Sequence, residues 1–186
     1  HGDGAKLATY LVTGKDGERA ELVELRGLGA DNIRDGFANV EIWAQATRCE
    51  KAFFHCYVRL PEGEALERFQ WRQVADRIEH QLGFDGQGRA VAFHHGAEGT
   101  HLHIAWSRID LEKNRAVSDS HNYRKHEECA RELERRFGHD RVQGAHVERE
   151  GVKRPDRTPS RAELRQEERT GIKAKIVKHD VTMAFR

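Results

Sequence analysis

Residues 89–109 constrain the fold more tightly than any other part of the chain. The segments 89–95 and 101–109 read as strands, and the glycine-bounded segment 96–100 between them reads as a turn. Successive side chains of a strand point to opposite faces. Leu102, Ile104 and Trp106 therefore share a face that helices must cover, while His101 and His103 share the other. If the turn closes a hairpin, His94 falls beside that pair. Ala90 and Ala92 have the same parity as His94, and their small side chains leave room for a ligand to approach. His95 has the opposite parity and is expected at the surface or supporting the site from behind.

The rest of the chain supplies the layers around this hairpin. Residues 4–12 predict a short helix, 20–26 a strand and 31–47 a helix, with Asp31 as N-cap and Ile33, Phe37, Val40 and Ala44 on its apolar stripe. Residues 52–60 predict a strand with Phe54, Cys56, Val58 and Leu60 on one face and Phe53, His55, Tyr57 and Arg59 on the other. Pro61-Glu62-Gly63-Glu64 ends it and opens a helix whose stripe includes Leu66, Val74, Ile78 and Leu82, stopping before Gly83. Residues 122–137 predict a strongly charged helix closed by Gly138, with Tyr123, Cys129, Leu133 and Phe137 available for burial. This order predicts an α+β domain over residues 1–140, a central and mainly antiparallel sheet with helices packed on one face.

Residues 141–186 are expected to form a basic, partly helical C-terminal extension. Within it, 151–159 read as an exposed linker, and Ser160 and Glu163 stand at capping-box spacing for a further helix. Formal net charge is only +1, yet residues 151–186 carry ten Lys or Arg against five Asp or Glu. A basic tail on a near-neutral body fits an arm that contacts phosphates.

Several classes are disfavoured. No apolar run approaches the roughly 20 residues that span a bilayer, so no membrane insertion is expected. His1-Gly2-Asp3-Gly4 is not basic and then apolar, so no secretory leader is expected. Cys49, Cys56 and Cys129 contain no CxxC pair and are odd in number, which argues against a disulfide framework and for a reducing cytoplasm.

Twelve histidines are many for this length, and four of them fall between positions 94 and 103. Three neutral imidazoles, His94, His101 and His103, can hold a divalent ion and leave coordination positions open for substrate oxygens. Such an ion acts as a Lewis acid on a phosphate. Imidazole accommodates Zn, Mn, Ni and Co alike, whereas phosphodiester chemistry in a cell favours Mg or Mn. A nucleophile must stand nearby, and there are only three tyrosines, Tyr10, Tyr57 and Tyr123. A phenol with a pKa near 10 needs a neighbouring cation or base to act as phenolate. Tyr57 is expected to pack on the sheet, which leaves Tyr10 on the first helix and Tyr123 on the late one.

At these residues the chain resembles the MobA-type relaxases, or mobilisation nucleases, of the HUH endonuclease superfamily. The resemblance covers residues 4–140 and rests on Leu7-Ala8-Thr9-Tyr10-Leu11, on His94 with His101-Leu102-His103-Ile104-Ala105, and on Asn122-Tyr123-Arg124-Lys125 before the charged helix. It implies an HUH relaxase-like fold and metal-dependent nicking of single-stranded DNA at an origin of transfer. Tyr10 would be the nucleophile that becomes linked to the 5′ phosphate, and His94, His101 and His103 would hold the metal. The implied partners are single-stranded DNA with an origin-of-transfer hairpin, accessory relaxosome proteins and a type IV secretion coupling protein. Lys15, Arg26, Arg108, Arg124 and Lys125 are candidate DNA contacts, and Trp43, Trp71 and Trp106 are candidate stacking platforms, Trp106 lying towards the core.

The chain also departs from the family pattern. Gly96 stands where the family has an acid two positions after the first histidine, and Glu98 is the nearest acid expected to support the site, together with His95. Ser107 stands where an asparagine is usual. Relaxases carry the tyrosine before the histidines, as Tyr10 does, whereas rolling-circle initiators and small transposases carry it after, as Tyr123 does. An initiator or transposase using Tyr123, a simple metal hydrolase and a non-catalytic nucleic-acid-binding module are the competing readings.

Overall fold

The computed structural model describes residues 2–15, 17–97, 99–144, 146 and 161–171. Two compact units divide it, His1–Val147 and Glu148–Arg186. In the first unit, α1 (Gly4–Thr13), β1 (Arg19–Arg26), α2 (Ile33–Gln45), β2 (Phe53–Arg59), α3 (Arg68–Leu82), β3 (Arg89–Gly96) and β4 (Gly99–Ser107) follow one another. A short ribbon, β5 (Ile109–Asp110) with β6 (Arg115–Ala116), and α4 (Asn122–Phe137) complete it. In the second unit a single helix, α5 (Arg161–Thr170), is described. The linker expected at 151–159 and the cap at Ser160 lie outside the described residues.

The four long strands form one sheet in the order β1-β3-β4-β2, with every neighbouring pair antiparallel. The predicted α+β class with an antiparallel sheet is therefore the observed one. Helices, however, cover both faces rather than one. On one face α3 and α4 bury Trp71, Val74, Ile78, Leu82, Cys129 and Leu133 against Phe54, Val91, Phe93, Leu102, Ile104 and Trp106. On the other, α1 and α2 bury Leu7, Ala8, Leu11, Phe37 and Val40 against Phe53, Ala90, Ala92 and Ala105. Burial of each large side chain contributes about 1.5–3 kcal/mol. The small residues at 90, 92 and 105 explain the difference: they admit a closely packed helix layer instead of the ligand space expected there.

Local sequence fixes the helix ends. Asp3 caps α1 by accepting from the Lys6 amide at 2.8 Å, and Asn32, not Asp31, caps α2 by accepting from the Asp35 amide at 3.0 Å. Helix α3 starts at Arg68, later than the Pro61 break suggested, because Glu67 and Gln70 form a reciprocal capping box there. Gly83 closes α3 and Gly138 closes α4, both in left-handed backbone that suits glycine.

One end of the sheet is locked by charge. Arg89, 2% exposed, donates to Glu24 at 2.6 Å, Asp76 at 2.7 Å and Glu79 at 2.8 Å. Glu79 also accepts from Trp106 Nε1 at 2.8 Å and from Arg26 at 2.6 Å. The network ties β1, β3, β4 and α3 together, and removing one partner strands a buried charge. Glu79→Ala is expected to destabilise the domain by about 3 kcal/mol, measured by urea denaturation, with the far-UV spectrum in the absence of urea unchanged.

Candidate metal centre and nucleophile

The β3–β4 register sets His94 directly across from His101. His103 stands two residues further along β4, on the same face, opposite Ala92 on β3 and Tyr57 on β2. All three imidazoles are buried, at 0%, 4% and 2% exposure, and each offers a nitrogen within 4.8 Å of the others'. No other group of three metal-binding side chains is as close among the described residues.

Their orientation follows from their outer hydrogen bonds. His94 Nε2 lies 3.2 Å from the Leu11 carbonyl oxygen, which can only accept, so Nε2 carries a proton and Nδ1 is the nitrogen left to face an ion. That carbonyl is one of the last four of α1, which lack partners within the helix. His94 Nδ1 has no hydrogen-bond partner despite its burial. His103 Nδ1 lies 3.0 Å from His55 Nε2, leaving its own Nε2 to face the centre. Burial, reinforced by the neighbouring imidazoles, pushes His103 down to about 3, and burial above all pushes His55 down to about 4. His101 is also lowered, chiefly by burial. Neutral imidazoles with unspent lone pairs are what a divalent ion requires.

Tyr10 comes to this centre from α1. Its Oη lies 3.3 Å from His103 Nε2, and its ring packs edge-on against His94 and His103, both at 5.1 Å between centroids. Burial raises its pKa, and the charge of Glu18 raises it further. The phenolate is thus disfavoured until positive charge is placed beside it. Tyr123, in contrast, is 75% exposed on α4, stacked near His146 at 6.2 Å, on a helix packed against the opposite sheet face.

The remaining sequence candidates scatter. Lys15 lies close enough to act electrostatically on both His103 and Glu18. Arg26 is held by Glu24 and Glu79, and Arg108 by the Val117 and Lys51 carbonyls and Asp119, all at the sheet end away from the histidines. Arg124 pairs with Glu128 one turn along α4, the helix that also carries Lys125. His95 turns to the α3 face, where its Nδ1 meets Thr100 Oγ1 at 2.9 Å, and Glu98 lies outside the described residues. Trp71 and Trp106 are buried and Trp43 packs on the α2 core, so the exposed aromatic beside the centre is Tyr57, 64% exposed.

Two residues that sequence reasoning passed over belong here. His55 backs His103 as described, and strand parity had already set it on the same face as Tyr57; its meaning needed the knowledge that β2 neighbours β4. Glu18 precedes β1 and lies 3.5 Å from His94 Nδ1 and 3.7 Å from His101 Nε2. No local motif marks it.

A family model, described as the nuclease domain of MobA/VirD2-like relaxases, matches residues 10–139. The chain belongs to that family. It is also similar to Protein TraI of Escherichia coli, 29% identical over 143 residues that cover 75% of this chain and 19% of that protein. The chain thus spans about a fifth of the length of this relative. No solved structure matches it. Among the described residues no helix is long and apolar enough to cross a membrane.

The buried imidazoles make stability depend on pH. His55 and His103 titrate near 6.5 when unfolded but at about 4 and about 3 when folded. The unfolded chain therefore binds more protons below pH 6.5, and stability is lost as pH falls through that window towards the folded values. Thermal melts of chelator-treated protein should show a falling midpoint from about pH 6.5 to pH 4, and His55→Gln should reduce the slope.

Proposed function

We propose that this chain is a DNA relaxase domain that nicks one strand at an origin of transfer, with Tyr10 as nucleophile and His94, His101 and His103 as metal ligands. The observation that carries this reading is the 3.3 Å approach of Tyr10 Oη to His103 within a buried three-histidine cluster, in a chain of the relaxase nuclease family. Residues 1–140 would form the catalytic domain and 141–186 a basic extension. A divalent ion, Mg or Mn in the cell, would supply positive charge to the scissile phosphate and to the forming phenolate.

The chain's own residues would do the rest. Helix α1 orients His94 through Leu11 and presents Tyr10, so ligand and nucleophile are set by one rigid element. Tyr10 Oη forms a bond to phosphorus, its proton passing to solvent, while the bond from phosphorus to the 3′ oxygen breaks. That oxygen takes up a proton and departs as a free 3′ hydroxyl, leaving the 5′ phosphate on the tyrosine. Reversal by the same hydroxyl rejoins the strand. Lys15 at the mouth would meet flanking phosphates, and the exposed ring of Tyr57 is suited to stacking on a neighbouring base. Single-stranded DNA bearing an origin hairpin is the expected substrate. Accessory relaxosome proteins and a type IV coupling protein are the expected partners, in a bacterial cytoplasm.

The test is a denaturing-gel assay for a covalent adduct with labelled oligonucleotides from the chain's own mobile element and Mn²⁺. Wild type and Tyr123→Phe should form the adduct. Tyr10→Phe and His101→Ala should not, and added EDTA should abolish it without abolishing DNA binding. Loss of the adduct with Tyr123→Phe and not with Tyr10→Phe would move the chain to the initiator or transposase class.

A further inference from the structure

Glu18 has no part in the reading above, yet it faces the metal side of the cluster. Its side chain is 16% exposed, and its carboxylate oxygens lie 3.5 Å from His94 Nδ1 and 3.7 Å from His101 Nε2. These separations are too long for good hydrogen bonds, and His94 Nδ1 has no such bond. They are near the spacing of two donors on one ion: atoms about 2.1 Å from a metal stand about 3.0 Å apart at octahedral angles and about 3.4 Å apart at tetrahedral ones.

The backbone holds the carboxylate there. Glu18 Oε2 accepts from the Lys15 amide at 2.9 Å across the turn that joins α1 to β1. The β1–β3 register pairs Arg19 with His95, so Glu18 comes next, alongside Gly96. A Cβ at position 96 would stand 3.2 Å from Glu18 Cγ and 3.5 Å from Oε1. Any side chain at 96 would crowd the carboxylate, and glycine there leaves it room. The acid missing from β3 is thus offered by the adjacent strand.

We propose that Glu18 is a fourth ligand of the metal centre and biases it towards oxygen-preferring ions such as Mn²⁺ and Mg²⁺. The inference rests on the three-histidine reading. Imidazoles alone suffice for Ni²⁺ or Zn²⁺, whereas a carboxylate favours Mn²⁺ and Mg²⁺.

Calorimetric titration of the full chain with Mn²⁺ and with Ni²⁺ tests it without using activity. Glu18→Gln, which keeps an oxygen for the Lys15 amide, should bind Mn²⁺ about 10- to 100-fold more weakly and Ni²⁺ nearly as wild type. The double variant Glu18→Ala with Gly96→Asp should regain most of the Mn²⁺ affinity that Glu18→Ala alone loses. His101→Ala should lose both metals. Mn²⁺ binding by Glu18→Gln within about twofold of wild type would overturn the role of Glu18 and leave the triad standing. So would an equal loss of both metals accompanied by a lower melting temperature without metal, which marks a structural residue. Failure of the wild type to bind either ion would overturn the triad and the inference together.

Discussion

The antiparallel pairing of β3 with β4 is the constraint on which the rest of the molecule depends. It sets His94 opposite His101 and Ala92 opposite His103. A slip of one residue would turn every side chain of a strand to the other face. The histidines would then enter the α3 core, and Val91, Phe93, Leu102 and Ile104 would face α1. Large apolar side chains on one face and alanines with histidines on the other exclude such a slip. The core that stabilises the hairpin is therefore the same feature that brings the three histidines together.

Helix α1 couples the two halves of the proposed chemistry. It packs through Leu7, Ala8 and Leu11 onto the alanine floor of the sheet, which fixes both the Leu11 carbonyl that orients His94 and the position of Tyr10. Burying ring nitrogens without hydrogen-bond partners is unfavourable in itself. The domain offsets that cost with the dense core under α3 and with the charge network around Arg89 at the other end of the sheet. The centre can thus stay poor in hydrogen bonds, with His94 Nδ1 and His101 Nδ1 unpartnered, while the opposite end is saturated with them.

What was legible in the sequence was whatever local periodicity encodes. The strands, the main helices, the parity of His94, His101 and His103 and the glycine stops at Gly83 and Gly138 all stand close to where the pattern put them. What was hidden depends on which strands are neighbours. Glu18 and His55 acquire meaning only because β1 flanks β3 and β2 flanks β4. Arg26 and Arg108 looked like phosphate contacts because a charge pattern does not reveal a partner, and both are occupied by carboxylates or carbonyls within the fold. The second helix layer was missed because alanines signal burial weakly, although they permit the closest packing.

The central claim is that one divalent ion sits among three histidines with Tyr10 beside it. Diffraction from crystals grown with Mn²⁺, recorded near the manganese absorption edge, examines it directly. The account predicts one anomalous peak within about 2.3 Å of a nitrogen from each of His94, His101 and His103, with Tyr10 Oη turned towards it. A peak bound elsewhere, or a centre that binds Mn²⁺ with Tyr10 turned away and Tyr123 turned in, would contradict it.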